Sequence, residues 1–127
     1  MTSTSGTELI LFAHGSPVES ANEAVREVAR AMAREARMTV EAAFLDGGKP
    51  GLVEAVSSAV ARGAKRVVVV PYFLTTGLHL KRDLPELIRQ AITEHPTLRI
   101  EATQPLDGHP ALIGILLDRA AAVLHGD

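Results

Sequence analysis

A parallel α/β sheet with helices on both faces is the fold this chain predicts, on two observations. Strand-like and helix-like segments alternate along the 127 residues, and two of the strand-like segments are nearly unbroken apolar runs. Such runs are what central parallel strands need when both faces are covered. The intervening helices are long enough for right-handed crossovers, so the natural architecture is a doubly wound four-stranded sheet in the order 2-1-3-4. The length suits a single domain over 1–127, with the polar stretch 1–7 expected to be flexible.

The elements follow in order. Glu8–Ala13 and Arg66–Tyr72 are the apolar runs and take the central positions; Met38–Leu45 and Leu98–Ala102 alternate more and read as outer strands. The first helix is predicted over Ser20–Ala36, with Ala21, Ala24, Val25, Val28, Ala29 and Met32 on one face. Ser16 with Glu19, and Ser20 with Glu23, compete as capping boxes at its start. The second helix opens at Pro50, presents Leu52, Val53, Val56, Ala59 and Val60, and stops at Gly63. The third begins at Asp83, with Pro85 and Glu86 in its first turn, and ends before Pro96. The last runs from Pro110 to Leu124 and is expected to bury Leu112, Ile113, Leu116, Leu117, Ala120 and Val123.

Composition narrows the function. The net charge is −2 and aromatics are 3%, so there is neither a basic stripe nor a stacking platform for nucleic acid. No cysteine is present, which excludes disulfides, Fe–S clusters and thiolate zinc sites and leaves His, Asp and Glu as metal ligands. No apolar run nears the roughly 20 residues of a membrane span, and the amino end lacks a signal-peptide layout. A cytoplasmic protein without membrane or nucleic-acid partners is the expectation.

In an open α/β sheet, ligands bind beyond the carboxyl ends of the strands, where the winding reverses. With the order 2-1-3-4 that point lies between the first and third strands. The segments after them are His14-Gly15-Ser16 and Tyr72-Phe73-Leu74-Thr75-Thr76-Gly77-Leu78-His79, and each carries a histidine. Asp46, before Gly47-Gly48, puts a carboxylate on the same rim or serves only as a turn residue. Two imidazoles and a carboxylate suit a borderline divalent ion such as Co2+, Fe2+, Ni2+ or Zn2+, and the same groups accept protons near neutral pH. His109 lies on the same edge but is better read as the start of the last helix, while His95 and His125 sit away from it and are expected in solvent. Ser16 reads as a cap, because no Gly-x-Ser-x-Gly elbow surrounds it. Neither a dinucleotide fingerprint nor a Walker sequence occurs, so no nucleotide is expected.

Taken in order, Ala13-His14-Gly15-Ser16, Phe44-Leu45-Asp46, Pro71-Tyr72-Phe73-Leu74 and Pro105-Leu106-Asp107-Gly108-His109-Pro110 resemble the small class II chelatases that act on sirohydrochlorin. The run Gly77-Leu78-His79-Leu80-Lys81-Arg82-Asp83-Leu84-Pro85 matches that family's Gly-x-His-x-x-x-Asp-[Ile/Leu]-Pro signature throughout. The resemblance implies ATP-independent insertion of Co2+ or Fe2+ into a tetrapyrrole, for cobalamin or sirohaem synthesis. It also implies a homodimer that imitates the longer, gene-fused members. It makes His14 and His79 the metal-binding and catalytic positions, with Asp46 at a place where the family carries an acidic residue, usually Glu. Asp46 would then act on the ion directly or through water. Lys49, Lys81 and Arg82 are candidate docking charges for a polycarboxylate substrate, and Tyr72, Phe73 and Leu74 a candidate apolar wall. Two other readings use the same rim: a non-catalytic metal or tetrapyrrole carrier, and a nickel-inserting relative.

Overall fold

The computed structural model describes residues 5–75 and 77–126, without the side chains of Leu78 and His79. Four strands and four helices alternate: β1 (Thr7–Ala13), α1 (Glu19–Ala36), β2 (Val40–Phe44), α2 (Leu52–Ala61), β3 (Arg66–Pro71), α3 (Leu78–Glu94), β4 (Arg99–Ala102) and α4 (Ala111–Leu124). The sheet is wholly parallel and has the expected order β2-β1-β3-β4. β1 pairs with β2 from Leu9↔Val40 to Ala13↔Phe44, and with β3 from Thr7↔Arg66 to Phe12↔Pro71.

The alternation of strand side chains separates two apolar layers. Ile10, Phe12, Ala43, Val67 and Val69 face one way and are sealed by Leu52, Ala55, Val56 and Ala59 of α2 and by Leu80, Leu84 and Ala91 of α3. Leu11, Ala13, Ala42 and Phe44 face the other way, against Ala29 of α1, with Val25, Val28, Met32 and Val70 half-buried around them. Glu8 is buried at the amino end of the sheet, where Arg62 donates to it from Nε at 3.1 Å and from a terminal nitrogen at 2.7 Å. Arg62 reaches Glu41 as well, and its pKa is raised chiefly by the hydrogen bond to Glu8.

Several local expectations change. Of the stretch expected to be flexible, residues 1–4 lie outside the described residues, but Gly6 is fastened: its carbonyl accepts from the amides of Lys65 (2.7 Å) and Arg66 (3.0 Å), and Thr7 already belongs to β1. Neither capping box forms. Val18 is the N-cap of α1 and makes no side-chain cap bond, while the Ser16 hydroxyl accepts from the Val18 amide and closes a turn before the helix. Helix α3 starts at Leu78 rather than Asp83, which leaves Pro85 inside it. A proline there has no amide to donate to Lys81 O and crowds that carbonyl with its ring, while the turn ahead is held by the Lys81 amide donating to Gly77 O at 3.0 Å.

The largest correction concerns α4. Leu112 is half-buried, but Ile113, Leu116, Leu117, Ala120 and Val123 are exposed, and the helix buries no residue. It has no packing interface of any extent with a strand or another helix among the described residues. An amphipathic period says that a face seeks cover and does not say which surface provides it.

Candidate functional site

The rim beyond β1 and β2 continues the sheet in miniature. The Leu45 amide donates to Ala13 O at 2.9 Å and the Asp46 amide to His14 O at 2.8 Å, so the β1–β2 ladder runs past the ends of both strands. Gly15, at φ +92°, lies so close beneath that a Cβ added to it would fall 1.6 Å from Asp46 O. Gly47, at φ +71°, is pressed against the Ser16 backbone, with a Cβ there 3.0 Å from Ser16 N. No side chain larger than hydrogen fits at Gly15 without parting the two loops.

Asn22 locks them together. It is 1% exposed; its Oδ1 accepts from the Ser16 amide at 2.9 Å, and its Nδ2 donates to Ser16 O at 2.9 Å and to Gly47 O at 3.0 Å. One buried amide therefore satisfies backbone groups of both loops, as burial demands. Arg26, one turn further along α1, donates to Lys49 O at 3.2 Å and places its guanidinium 5.3 Å from the centre of the Phe44 ring. Glu19 holds it there at 2.5 Å, and that hydrogen bond is the main reason the Glu19 carboxyl is held below the usual carboxylate range. Sequence reasoning missed both residues. The signal for Asn22 was a polar residue three positions before Val25, on the inward stripe of an apolar helix.

His14 stands exposed on this scaffold. Its Nδ1 lies 3.4 Å from Gly15 O, and its ring meets Phe73 edge-on with centroids 6.4 Å apart. Phe73 leans in turn on Phe12, at 6.1 Å, and is half-buried against the core. The segments after β1 and β3 thus meet at the switch point, with Tyr72 N–H donating to Phe12 O at 2.7 Å. Tyr72 and Leu74 are exposed beside it, whereas Phe73 turns inward and supports the imidazole instead of forming an open wall.

Asp46 is exposed, and its Oδ1 accepts from the Gly47 amide at 2.8 Å. That is turn chemistry. Oδ2 accepts no hydrogen bond among those just described, and Oδ1 keeps a second lone pair. The backbone of His79 belongs to the first turn of α3, but its side chain lies outside the described residues. Among the described residues no group of three or more His, Asp or Glu side chains is gathered closely enough to hold a metal ion. Lys49, Lys81 and Arg82 are exposed around the loops, and Arg82 lies 3.5 Å from the Asp83 carboxylate.

The chain after β4 also comes to this edge. The Leu106 amide donates to Phe73 O at 3.1 Å and the Asp107 amide to Leu74 O at 2.7 Å, while His109 Nδ1 accepts from the Ala111 amide at 3.0 Å and so begins α4. His95 is not free in solvent: it is half-buried, and its Nε2 lies 2.9 Å from the Ser57 hydroxyl, tying the end of α3 to α2.

The CbiX family model matches residues 8–123, which takes in the sheet apart from Thr7 and every rim segment just described. The chain belongs to the CbiX family. It is 33% identical over 112 residues to the chloroplastic sirohydrochlorin ferrochelatase of Arabidopsis thaliana, a match over 87% of this chain and 50% of that protein. It is 30% identical over 116 residues to the sirohydrochlorin cobaltochelatase of Sulfolobus acidocaldarius, covering 91% of each. The fold is similar to the sirohydrochlorin chelatase SirB of Bacillus subtilis subspecies spizizenii in complex with cobalt. That similarity has a TM-score of 0.83, with 25% identity over 92% of this chain and 50% of the other. The chain thus spans about half the length of the Arabidopsis and Bacillus proteins and nearly all of the Sulfolobus one. Among the described residues, no helix is long and apolar enough to cross a membrane.

Proposed function

We propose that this chain is a sirohydrochlorin chelatase, which inserts Co2+ or Fe2+ into the tetrapyrrole without ATP in cobalamin or sirohaem synthesis. The observation that carries the reading is His14, an exposed imidazole held on a fastened rim at the switch point of the sheet. The names of the Arabidopsis and Sulfolobus relatives support it. A carbonyl only accepts, so the Nδ1–H of His14 directed at Gly15 O leaves the Nε2 lone pair for the ion.

The metal is a substrate here, and the site has to hold it loosely. His14 and His79, with Asp46 acting through Oδ2 or a water, supply few enough ligands that pyrrole nitrogens can replace water on the ion. As the ion enters, two pyrrole N–H bonds break and both protons leave; His14 relays them to water once its own nitrogen is free of the metal. Imidazole ligands also accept Ni2+, so a nickel-inserting activity tests the same rim. Tyr72 and Leu74 offer the macrocycle an apolar edge, and Lys49, Lys81 and Arg82 offer its carboxylates counter-charges. One copy presents an open edge, and a second copy completes the site in this reading.

The test mixes purified protein, sirohydrochlorin and Co2+, Fe2+ or Ni2+ in turn, and follows the visible spectrum of the metallated ring. Acceleration over the uncatalysed reaction is expected with at least one ion, together with a loss of about 100-fold or more in His14→Ala and in His79→Ala. Binding of the ion or pigment without acceleration would make the chain a carrier. Near-normal rates in both variants would overturn the assignment of the site.

A further inference from the structure

We infer that Phe73 is a positioning residue for the proposed reaction: its ring, set edge to face against the His14 imidazole, fixes the direction in which that candidate ligand meets the ion. The inference rests on the chelatase reading and names what aims its metal-binding group. The placement follows from strand register. β1 and β3 pair as far as Phe12↔Pro71, and the Tyr72 amide then donates to Phe12 O at 2.7 Å, which carries the parallel ladder one step past the end of β3. His14 and Phe73 stand two residues beyond Phe12 and Pro71, so the continued register sets them opposite each other. Side chains alternate, so both fall on the side of Phe12, which α2 and α3 cover. The first turn of α3 carries the other candidate ligand, His79.

Phe73 is anchored where His14 is not. Its neighbours Tyr72 and Leu74 are exposed, while Phe73 is half-buried against the core, with its ring 6.1 Å from that of Phe12, which has no exposure. Its carbonyl accepts from the Leu106 amide at 3.1 Å, and Leu74 O accepts from the Asp107 amide at 2.7 Å, so the chain after β4 straps the segment down. The His14 side chain is exposed, and its one polar contact among the described residues is the 3.4 Å approach of Nδ1 to Gly15 O. Strong N–H···O bonds span roughly 2.7–3.2 Å, so this one restrains the ring weakly. The contact with Phe73, at 6.4 Å between centroids and 68° between planes, lies in the range where an aromatic edge meets a face favourably.

The choice of partner suits a site that must release its ion. Metal-binding histidines are commonly aimed by a carboxylate on the second ring nitrogen, which also makes the imidazole a stronger ligand. No carboxylate bonds to His14 among the described residues. An aromatic edge aims the ring while adding neither charge nor basicity. The ion therefore meets a donor that is fixed in direction and weak in grip.

The test removes the ring and keeps an apolar side chain. In Phe73→Leu, kcat for insertion of Co2+ or Fe2+, whichever the wild type accepts, should fall about tenfold while KM for sirohydrochlorin moves by less than about twofold, because a misdirected ligand costs turnover and not docking. Phe73→Tyr restores the ring and should recover most of the rate. A readout free of turnover accompanies them: three-bond couplings across the His14 Cα–Cβ bond, measured by NMR without metal. One rotamer is expected in the wild type and in Phe73→Tyr, and averaging over several in Phe73→Leu. A general loss of stability would not single out that side chain. If Phe73→Leu fails to fold, Phe73→Met takes its place in both measurements. A single His14 rotamer in the ringless variant, an unchanged kcat, or a rate that Phe73→Tyr does not recover would overturn the inference. A wild-type chain that inserts no metal, with the His14 couplings changing as expected, would sink the chelatase reading and leave the aiming of His14 standing.

Discussion

On one side of β3, Val67 and Val69 are completely buried beneath α2 and α3, whereas Val68 and Val70 on the other side are only half-covered. The contrast continues across the sheet. The sealed side is aliphatic and aromatic out to Ile100 of β4. On the α1 side the row from Leu9 through Val68 ends at Glu101, which Arg66 meets at 2.7 Å and Arg99 at 3.4 Å. One face draws its stability from closure by its own chain; the other ends in ion pairs and a groove. On the α1 side burial is thus concentrated over β1 and β2, where Leu11, Ala13, Ala42 and Phe44 meet Ala29, and thins toward β4.

The largest effect that would break this comparison is in packing. Phe12→Ala empties a site with no exposure on the sealed side and should cost about 3–5 kcal/mol in urea unfolding. Val68→Ala on the open side should cost less than about 1 kcal/mol. Equal losses would mean that the two faces are finished alike. A smaller effect sharpens the comparison at the rim. Asn22→Ala strands the Ser16 amide and the Ser16 and Gly47 carbonyls; the expected cost is about 2–3 kcal/mol, and metal insertion should fall by about tenfold as His14 loses its fixed position. Thermal unfolding and the insertion assay, run side by side, check it.

The smallest effect is electrostatic and belongs to the open face. The hydrogen bond from Arg66, ahead of the charges of Arg66 and Arg99, holds the Glu101 carboxyl below its ordinary range. A carboxyl depressed in the folded state contributes stability that is fully present above the ordinary carboxylate pKa and is lost as pH falls through its folded value. Glu101→Gln should therefore flatten the acid limb of stability slightly and leave neutral pH almost unchanged. Chemical denaturation repeated from pH 3 to pH 7 measures the difference, and an unchanged acid limb would remove the pair from the account.

Most of the fold was legible because the apolar runs and their spacing constrain a parallel sheet to few topologies. The meeting of His14 with the segment after β3 followed from that topology, since strand order alone decides which loops share a rim. Asn22 was less legible because its value lies in serving backbone groups of two loops at once, and only tertiary proximity reveals that. The start of α3 was misplaced because Pro85 reads as a first-turn residue, whereas the helix tolerates it after a turn begun at Gly77. The stripe of α4 was read correctly as apolar and wrongly as buried, because periodicity names a face and leaves its cover unnamed.

The amides that carry the ladder past β1 and β2 also set a timescale. Leu45 and Asp46 donate to Ala13 and His14 as the strands do, and Gly15 leaves no slack between the loops. The candidate ligand His14 is in effect mounted on an extra rung of the sheet. Backbone opening at that rung belongs with the slow, cooperative opening of the strands and not with the fast fluctuation of a surface loop. Any rearrangement of the candidate ligand His14 that leaves this rung intact falls to the rotation of its own imidazole.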